Sequence, residues 1–240
     1  MRKLIFRQVR NASFLLDYAG QRFLIDPVLG EKGAMEEGAI PLGELLDVDA
    51  VIATHLSGNC FDQEARRLIP RGMKIFVQDD AVAQELDANG FFNLEVLTEH
   101  TRWQYVELHK TPAFQGMSGN SMPNRKRCGV MITHPVLNST YIVGDSIWND
   151  GLKDTIHTWK PRLIIVNAGG NVRSDGRRIT MNQEEIAAVH LTMPKAKIIA
   201  TRTDKERGNT LSRSVLKEYV WEHRLQKNVL IPEDGEEYRL

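Results

Sequence analysis

The chain has 240 residues, 42% of them hydrophobic, enough for one large α/β domain or two small ones with a core that needs no covalent staple. Lys plus Arg and Asp plus Glu both number 31, so no global field marks a nucleic-acid or anionic-membrane partner. No apolar run approaches the ~20 residues needed to span a bilayer, the first residues alternate charged with apolar side chains instead of forming a signal-peptide core, and the two cysteines, Cys60 and Cys128, exclude a disulfide framework. A cytoplasmic protein with no membrane partner is expected.

Residues 3–9, 13–18, 22–25 and 50–53 are short apolar runs that read as strands, and the turn Tyr18-Ala19-Gly20-Gln21 makes the second and third an antiparallel hairpin. The Gly- and Glu-rich segment 27–46 carries no period and is expected to be a surface loop, a candidate rim of a site. Residues 61–68 fit one helix. The break Pro70-Arg71-Gly72 precedes a strand at 74–77, and a helix over 79–88 ends near Asn89-Gly90. Strands follow at 94–97, 103–108, 129–133, 140–143, 163–166 and 197–200, with helices between the later ones. Thr180-Met181-Asn182-Gln183 has the side chains of a capping box ahead of a helix at 184–191, and 212–225 is a second, strongly periodic helix. Internal repeats and low-complexity tracts are absent. Strand-rich stretches with intervening helices in both halves predict one domain of two sheets packed face to face, helices outside.

The run from Val51 to Asp62, with Thr54, His55, Ser57, Asn59 and Cys60, resembles the Thr-His-x-His-x-Asp-His motif that metallo-β-lactamase-fold hydrolases carry after a buried strand, in the form found in the L-ascorbate-6-phosphate lactonase-like subgroup. Other landmarks follow in order and cover nearly the whole chain. Leu24-Ile25-Asp26-Pro27 resembles the early "IDP" turn; Thr111-Pro112-Ala113-Phe114-Gln115-Gly116 resembles "TPA-x-His-Gly"; Tyr141-Ile142-Val143-Gly144-Asp145-Ser146 resembles the strand ending in "GDT" that supplies a metal-bridging aspartate. Val166-Asn167-Ala168-Gly169-Gly170 and Ile179-Thr180-Met181 fit the same subgroup, and Arg202 ends the strand where the last histidine belongs. The resemblance implies a four-layer αββα sandwich over residues 1–240, with the site where the loops after Thr54, Thr111, Gly144 and Thr201 meet.

It also implies a dismantled metal centre. Such a site needs imidazoles and carboxylates converging on two cations that lower the pKa of a bridging water. Here His55 and Asp145 keep their side chains, while Ser57, Asn59, Cys60, Gln115 and Arg202 stand at the other ligand positions. Arg cannot shed its proton, so no metal and no other cofactor is expected. In the family arrangement the positions of Arg202 and Asp145 contact the same ion, which makes them neighbours able to form a charge-assisted bond that assumes the cation's electrostatic role. Changes concentrated at the metal positions point to a pseudoenzyme or to a repurposed, engineered scaffold.

Three functional readings follow. In the first, Cys60 is a nucleophile with His55 as its base, attacking an activated ester, and Gln115 or Asn59 donates to the oxyanion; Ser57, Asp145, Trp148 and Arg202 then line the substrate. Ser57 ranks below Cys60 as nucleophile because nothing in the sequence clearly orients His55. In the second, the cleft binds a small-molecule ligand without turnover. In the third, His55, Cys60 and Asp145 hold one metal ion. Cys128, the other histidines and the other tryptophans read as structural, and Arg125-Lys126-Arg127, whose alternative reading is a site for a phosphate or a nucleic-acid backbone, reads first as a solvated loop. No specific nucleic-acid partner is expected, and oligomeric state is not legible.

Overall fold

The computed structural model describes residues 4–30, 40–57, 60–117, 120–203 and 209–240. By its contacts the chain divides into two compact units, one of residues 1–98 with 232–240 and one of residues 99–231.

The first unit holds strands β1 (Ile5–Arg10), β2 (Ser13–Tyr18), β3 (Gln21–Ile25), β4 (Ala50–Ala53), β5 (Ile75–Val77), β6 (Leu94–Val96) and, from the chain's end, β14 (Glu237–Arg239); its helices are α1 (Leu42–Leu46), α2 (Gln63–Leu68) and α3 (Asp80–Ala88). They form one seven-stranded sheet, ordered β14-β1-β2-β3-β4-β5-β6. Pairing is antiparallel from β14 to β3 and parallel from β3 to β6. The expected β2–β3 hairpin is present, with Tyr18 paired to Gln21 and both turn residues at positive φ, 55° for Ala19 and 81° for Gly20, the twist-matched geometry of a two-residue hairpin. Strand β4 is buried at all four positions, as a parallel strand covered on both faces must be. One face meets Leu45 of α1, Ala65 of α2 and Val82 and Leu86 of α3. The segment 27–46 is not wholly loop: its end winds into the short α1, while residues 31–39 lie outside the described residues.

The second unit holds β7 (Thr101–Trp103), β8 (Val106–Met117), β9 (Asn120–Thr133), β10 (Thr140–Ile142), β11 (Leu163–Asn167), β12 (Lys197–Thr201) and β13 (Val229–Leu230), with helices α4 (Asp150–Trp159), α5 (Gln183–Thr192) and α6 (Arg213–Glu222). Its sheet runs β13-β12-β11-β10-β9-β8-β7. The run 103–108 is two strands rather than one, because Gln104 turns back at φ 53° and Trp103 pairs with Val106. The capping box lies two residues later than expected: Asn182 caps α5 and Glu185 closes the box, while the Thr180 hydroxyl accepts from the Asn171 N–H. Leu152 and Ile156 of α4, Ile186 and Val189 of α5, and Leu216 and Val220 of α6 form the core with Tyr141, Ile164, Val166, Ile198 and Ala200 of the sheet.

Both units use the same wiring. Antiparallel strands lead into a β-α-β-α-β-α-β series, from β3 to β6 in the first and from β10 to β13 in the second. Among the described residues no helix is long and apolar enough to cross a membrane.

Candidate functional site

In open α/β sheets ligands collect outside the carboxyl ends of the strands, where the strand order changes sense. Each unit carries a polar cluster at that edge.

In the first unit the cluster begins at Asp26, directly after β3, buried and at φ 44°. Its two carboxylate oxygens accept from the Thr54 N–H and the Thr54 hydroxyl, each at 2.7 Å. Thr54 follows β4, and its Oγ1 lies 3.1 Å from His55 Nδ1. Because that hydroxyl already donates to Asp26, it accepts from His55, which places the ring proton on Nδ1 and the lone pair on Nε2. Cys60 returns to the same place because Ser57 and Cys60 exchange backbone hydrogen bonds of 3.0 Å. Its thiol is buried and donates to the His55 carbonyl at 3.2 Å. One ligating atom from each of Asp26, His55 and Cys60 lies within 4.8 Å of the others. Ser57 is half-buried, and Asn59 lies outside the described residues.

In the second unit Asp145 follows β10 and is fully buried. Arg202, at φ 58° after β12, donates from Nη1 to Asp145 Oδ1. Arg127, on β9, donates from Nη1 to Oδ2. Asn167, at the end of β11, adds a bond of 2.8 Å to Oδ1 and is held by the Thr201 hydroxyl at 2.9 Å. The Arg202–Asp145 ion pair that the family resemblance implied is thus present, and a second arginine shares it. Side-chain exposure is 1% for Arg202, 0% for Asp145 and 15% for Arg127, so the outermost of the three charges is a cation. Arg127 belongs to a strand, not to the expected solvated loop. Gln115, on β8, donates its side-chain amide to the Asp145 carbonyl at 3.3 Å, and Trp148 is half-buried against the core of this unit.

The structure therefore gathers His55 with Cys60, and Asp145 with Arg202 and Gln115, in one unit each. Three contributors were not singled out from the sequence. Asp26 and Asn167 stood only inside landmark motifs, and Arg127 stood in a cationic run whose composition says nothing about which member turns inward.

No family model matches the chain. It is 39% identical over 249 residues to the UPF0173 protein YddR of Bacillus subtilis (strain 168), an alignment covering 96% of this chain and 98% of YddR. The chain belongs to the UPF0173 family. This UPF0173 chain is similar to the isothiocyanate hydrolase from Delia radicum gut bacteria, with a TM-score of 0.88 and 30% identity over 98% of each chain. It is also similar to a possible metal-dependent hydrolase from Veillonella parvula DSM 2008, with a TM-score of 0.89 and 25% identity over 98% and 99% of the two chains. The metallo-β-lactamase fold protein YhfI from Bacillus subtilis matches at a TM-score of 0.67 and 11% identity over 98% and 99%, a likeness of fold alone. The mixed α/β chain with its two large sheets has the metallo-β-lactamase fold.

Proposed function

We propose that this UPF0173 chain has exchanged the dinuclear metal centre of its fold for a pair of guanidinium groups and binds a small anionic ligand, one bearing a carboxylate or phosphate, without metal. One observation carries the reading: Asp145, at the position that resembles a metal-bridging aspartate, gives one carboxylate oxygen to Arg202 and the other to Arg127. A dication at Asp145 would have to displace both arginines, and Arg202 can neither deprotonate nor reach water from its buried place. The second unit's residues do not fit such an ion, and the reading in which Asp145 joins His55 and Cys60 around one metal loses its carboxylate. Two guanidiniums share one carboxylate, and the cation that keeps some exposure is Arg127. That charge suits a bidentate acid or phosphate partner. A guanidinium attracts an anion but does not generate hydroxide from water as a metal does, so this cluster supports binding rather than turnover.

The test is calorimetric titration with inorganic phosphate and with acetate, in chelator. Saturable binding that Arg127→Ala weakens at least tenfold and Arg127→Lys partly restores is the expected result. Metal that His55→Ala removes, together with chelator-sensitive hydrolysis, would overturn the proposal.

A second reading, ester hydrolysis by Cys60 and His55, is favoured by the Asp26–Thr54–His55 chain of hydrogen bonds, which provides the orienting groups that a nucleophile–base pair requires. In that reaction His55 Nε2 takes the thiol proton, the Cys60 sulfur bonds to the carbonyl carbon, and the C–O bond breaks as the leaving alkoxide takes the proton from His55. Water then cleaves the thioester, returning the thiol and releasing the acid. Hydrolysis of an activated ester, and of an isothiocyanate in view of the similarity to an isothiocyanate hydrolase, is measured in chelator for the parent chain and Cys60→Ala. Equal rates would sink this reading.

A further inference from the structure

A separate cluster lies on the outer hairpin of the second unit's sheet, at the end of the strand order away from β13. Antiparallel pairing sets Thr101 opposite Leu108 and Arg102 opposite Glu107, and the same register brings His100 beside His109. Glu107 and His109 are two apart on β8 and share a face. His100, Glu107 and His109 therefore come together, with one ligating atom from each within 4.8 Å of the others. The rings of His100 and His109 meet edge to face at a centroid distance of 5.2 Å.

The hydrogen-bond roles of the two His109 nitrogens follow from their partners. Nδ1 lies 2.7 Å from the backbone carbonyl of Glu99, which only accepts, so Nδ1 carries the proton. In the neutral ring Nε2 then holds a lone pair, which accepts from the Thr133 hydroxyl at 2.9 Å. A ring N–H donated to a backbone carbonyl, with the other nitrogen left as a donor of electrons, is how metal-binding histidines are ordinarily oriented. Glu107 Oε2 faces the same Nε2 at 3.6 Å. Two groups that both offer electron pairs are apposed at that distance, and a positive species between them relieves the repulsion. The other carboxylate oxygen, Oε1, is occupied by Arg102 Nε at 3.2 Å, which leaves Oε2 turned toward His109. Glu107 and Thr133 also line, with Tyr105 and His134, a cavity of about 520 Å³.

We propose that His100, Glu107 and His109 form a binding site for one divalent cation of the zinc class, independent of the Asp145 and Cys60 clusters. Two imidazoles and one carboxylate suit a borderline ion such as Zn²⁺. The entering ion takes the Nε2 lone pair from Thr133, whose hydroxyl rotates away.

The experiment titrates the full chain with Zn²⁺ alone by calorimetry, alongside His100→Ala, Glu107→Gln and Cys60→Ser. The first two replace side chains exposed enough that the fold survives. Expected are one equivalent bound by the parent chain and by Cys60→Ser, and affinity at least about tenfold weaker in His100→Ala and in Glu107→Gln. The Co²⁺ complex should show nitrogen and oxygen ligation without a thiolate charge-transfer band. Zn²⁺ affinity unchanged in both variants, or no saturable binding to the parent chain, overturns the site and says that a proton alone bridges Glu107 and His109. Loss of binding in Cys60→Ser with a thiolate band in Co²⁺ also overturns it, placing the ion at Asp26, His55 and Cys60.

Discussion

The Asp145 carboxylate accepts hydrogen bonds inside the second unit from Arg202, Arg127 and Asn167. Removing its carboxylate takes an ion-pair partner from the buried Arg202, whereas Arg127 retains some exposure and can turn outward. Asp145→Ala is therefore expected to lower the unfolding free energy in urea by about 3–5 kcal/mol, the cost of breaking a buried ion pair by removing one partner. Arg127→Ala should cost markedly less, because Asp145 keeps Arg202 and Asn167. Equal losses would mean that the buried charge is not what makes this cluster stable. Ser57, Gln115 and Arg202 were legible from the sequence because each stands at a fixed place in a motif. Arg127 was not. Its role depends on β9 passing beside the end of β10, a pairing between residues on either side of a turn that no local pattern records.

Among the elements, strand β9 carries a close packing constraint near that cluster. A β-carbon on Gly129 would lie 2.5 Å from Thr111 Oγ1, 2.9 Å from the Ile142 carbonyl oxygen and 3.0 Å from the Val143 carbonyl oxygen. Two of those neighbours are backbone of the segment leading to Asp145, so β9 and β10 would have to separate. Gly129→Ala should cost about 1–3 kcal/mol and weaken phosphate binding along with stability; a variant as stable as the parent chain would refute the close approach. Helix α5 offers a smaller, local effect. Asn182 accepts from the Glu185 N–H at 3.0 Å, and Glu185 accepts from the Asn182 N–H at 3.0 Å, so Asn182→Ala should cost about 1 kcal/mol in thermal or urea unfolding. The sequence pattern placed this box at Thr180 with Gln183. The choice went to Asn182 because Thr180 is engaged by the Asn171 backbone, a contact nine residues away. The helix boundaries at Asp62, Asp79 and Ser212 lay close to expectation because each cap bonds within its own first turn.

At the scale of the whole molecule, burial itself makes stability depend on alkaline pH. Tyr18 is buried and its phenol is pushed up to about 12 by desolvation; Tyr141, also buried, is raised for the same reason. A raised folded pKa adds stability that is fully present below the ordinary tyrosine value of about 10 and is lost as pH climbs through the folded value, since only the unfolded chain releases the proton in between. Unfolding free energy measured in urea should fall from pH 10 toward pH 12, and Tyr18→Phe should flatten part of that fall; an unchanged slope in the variant would exclude the assignment to Tyr18. The repeated wiring of the two units is likewise a property of the whole chain. The sequence carries no detectable repeat, yet β3 to β6 and β10 to β13 trace the same alternation of strand and helix, because the topology asks only for apolar strands and one-sided helices and many sequences satisfy that pattern.

What the sequence determined by itself was the class of fold, most strand positions, the hairpin at Ala19-Gly20 and the identity of the residues at the motif positions, all of which depend on short-range periodicity or fixed spacing. Only the tertiary structure decided that Arg127 would share Asp145 with Arg202, that Asp26 would reach His55 through Thr54, and that His100 would stand beside His109. Each of those depends on strand pairing and on the cost of leaving a buried polar group unpaired, and that cost is set by neighbours distant in the chain.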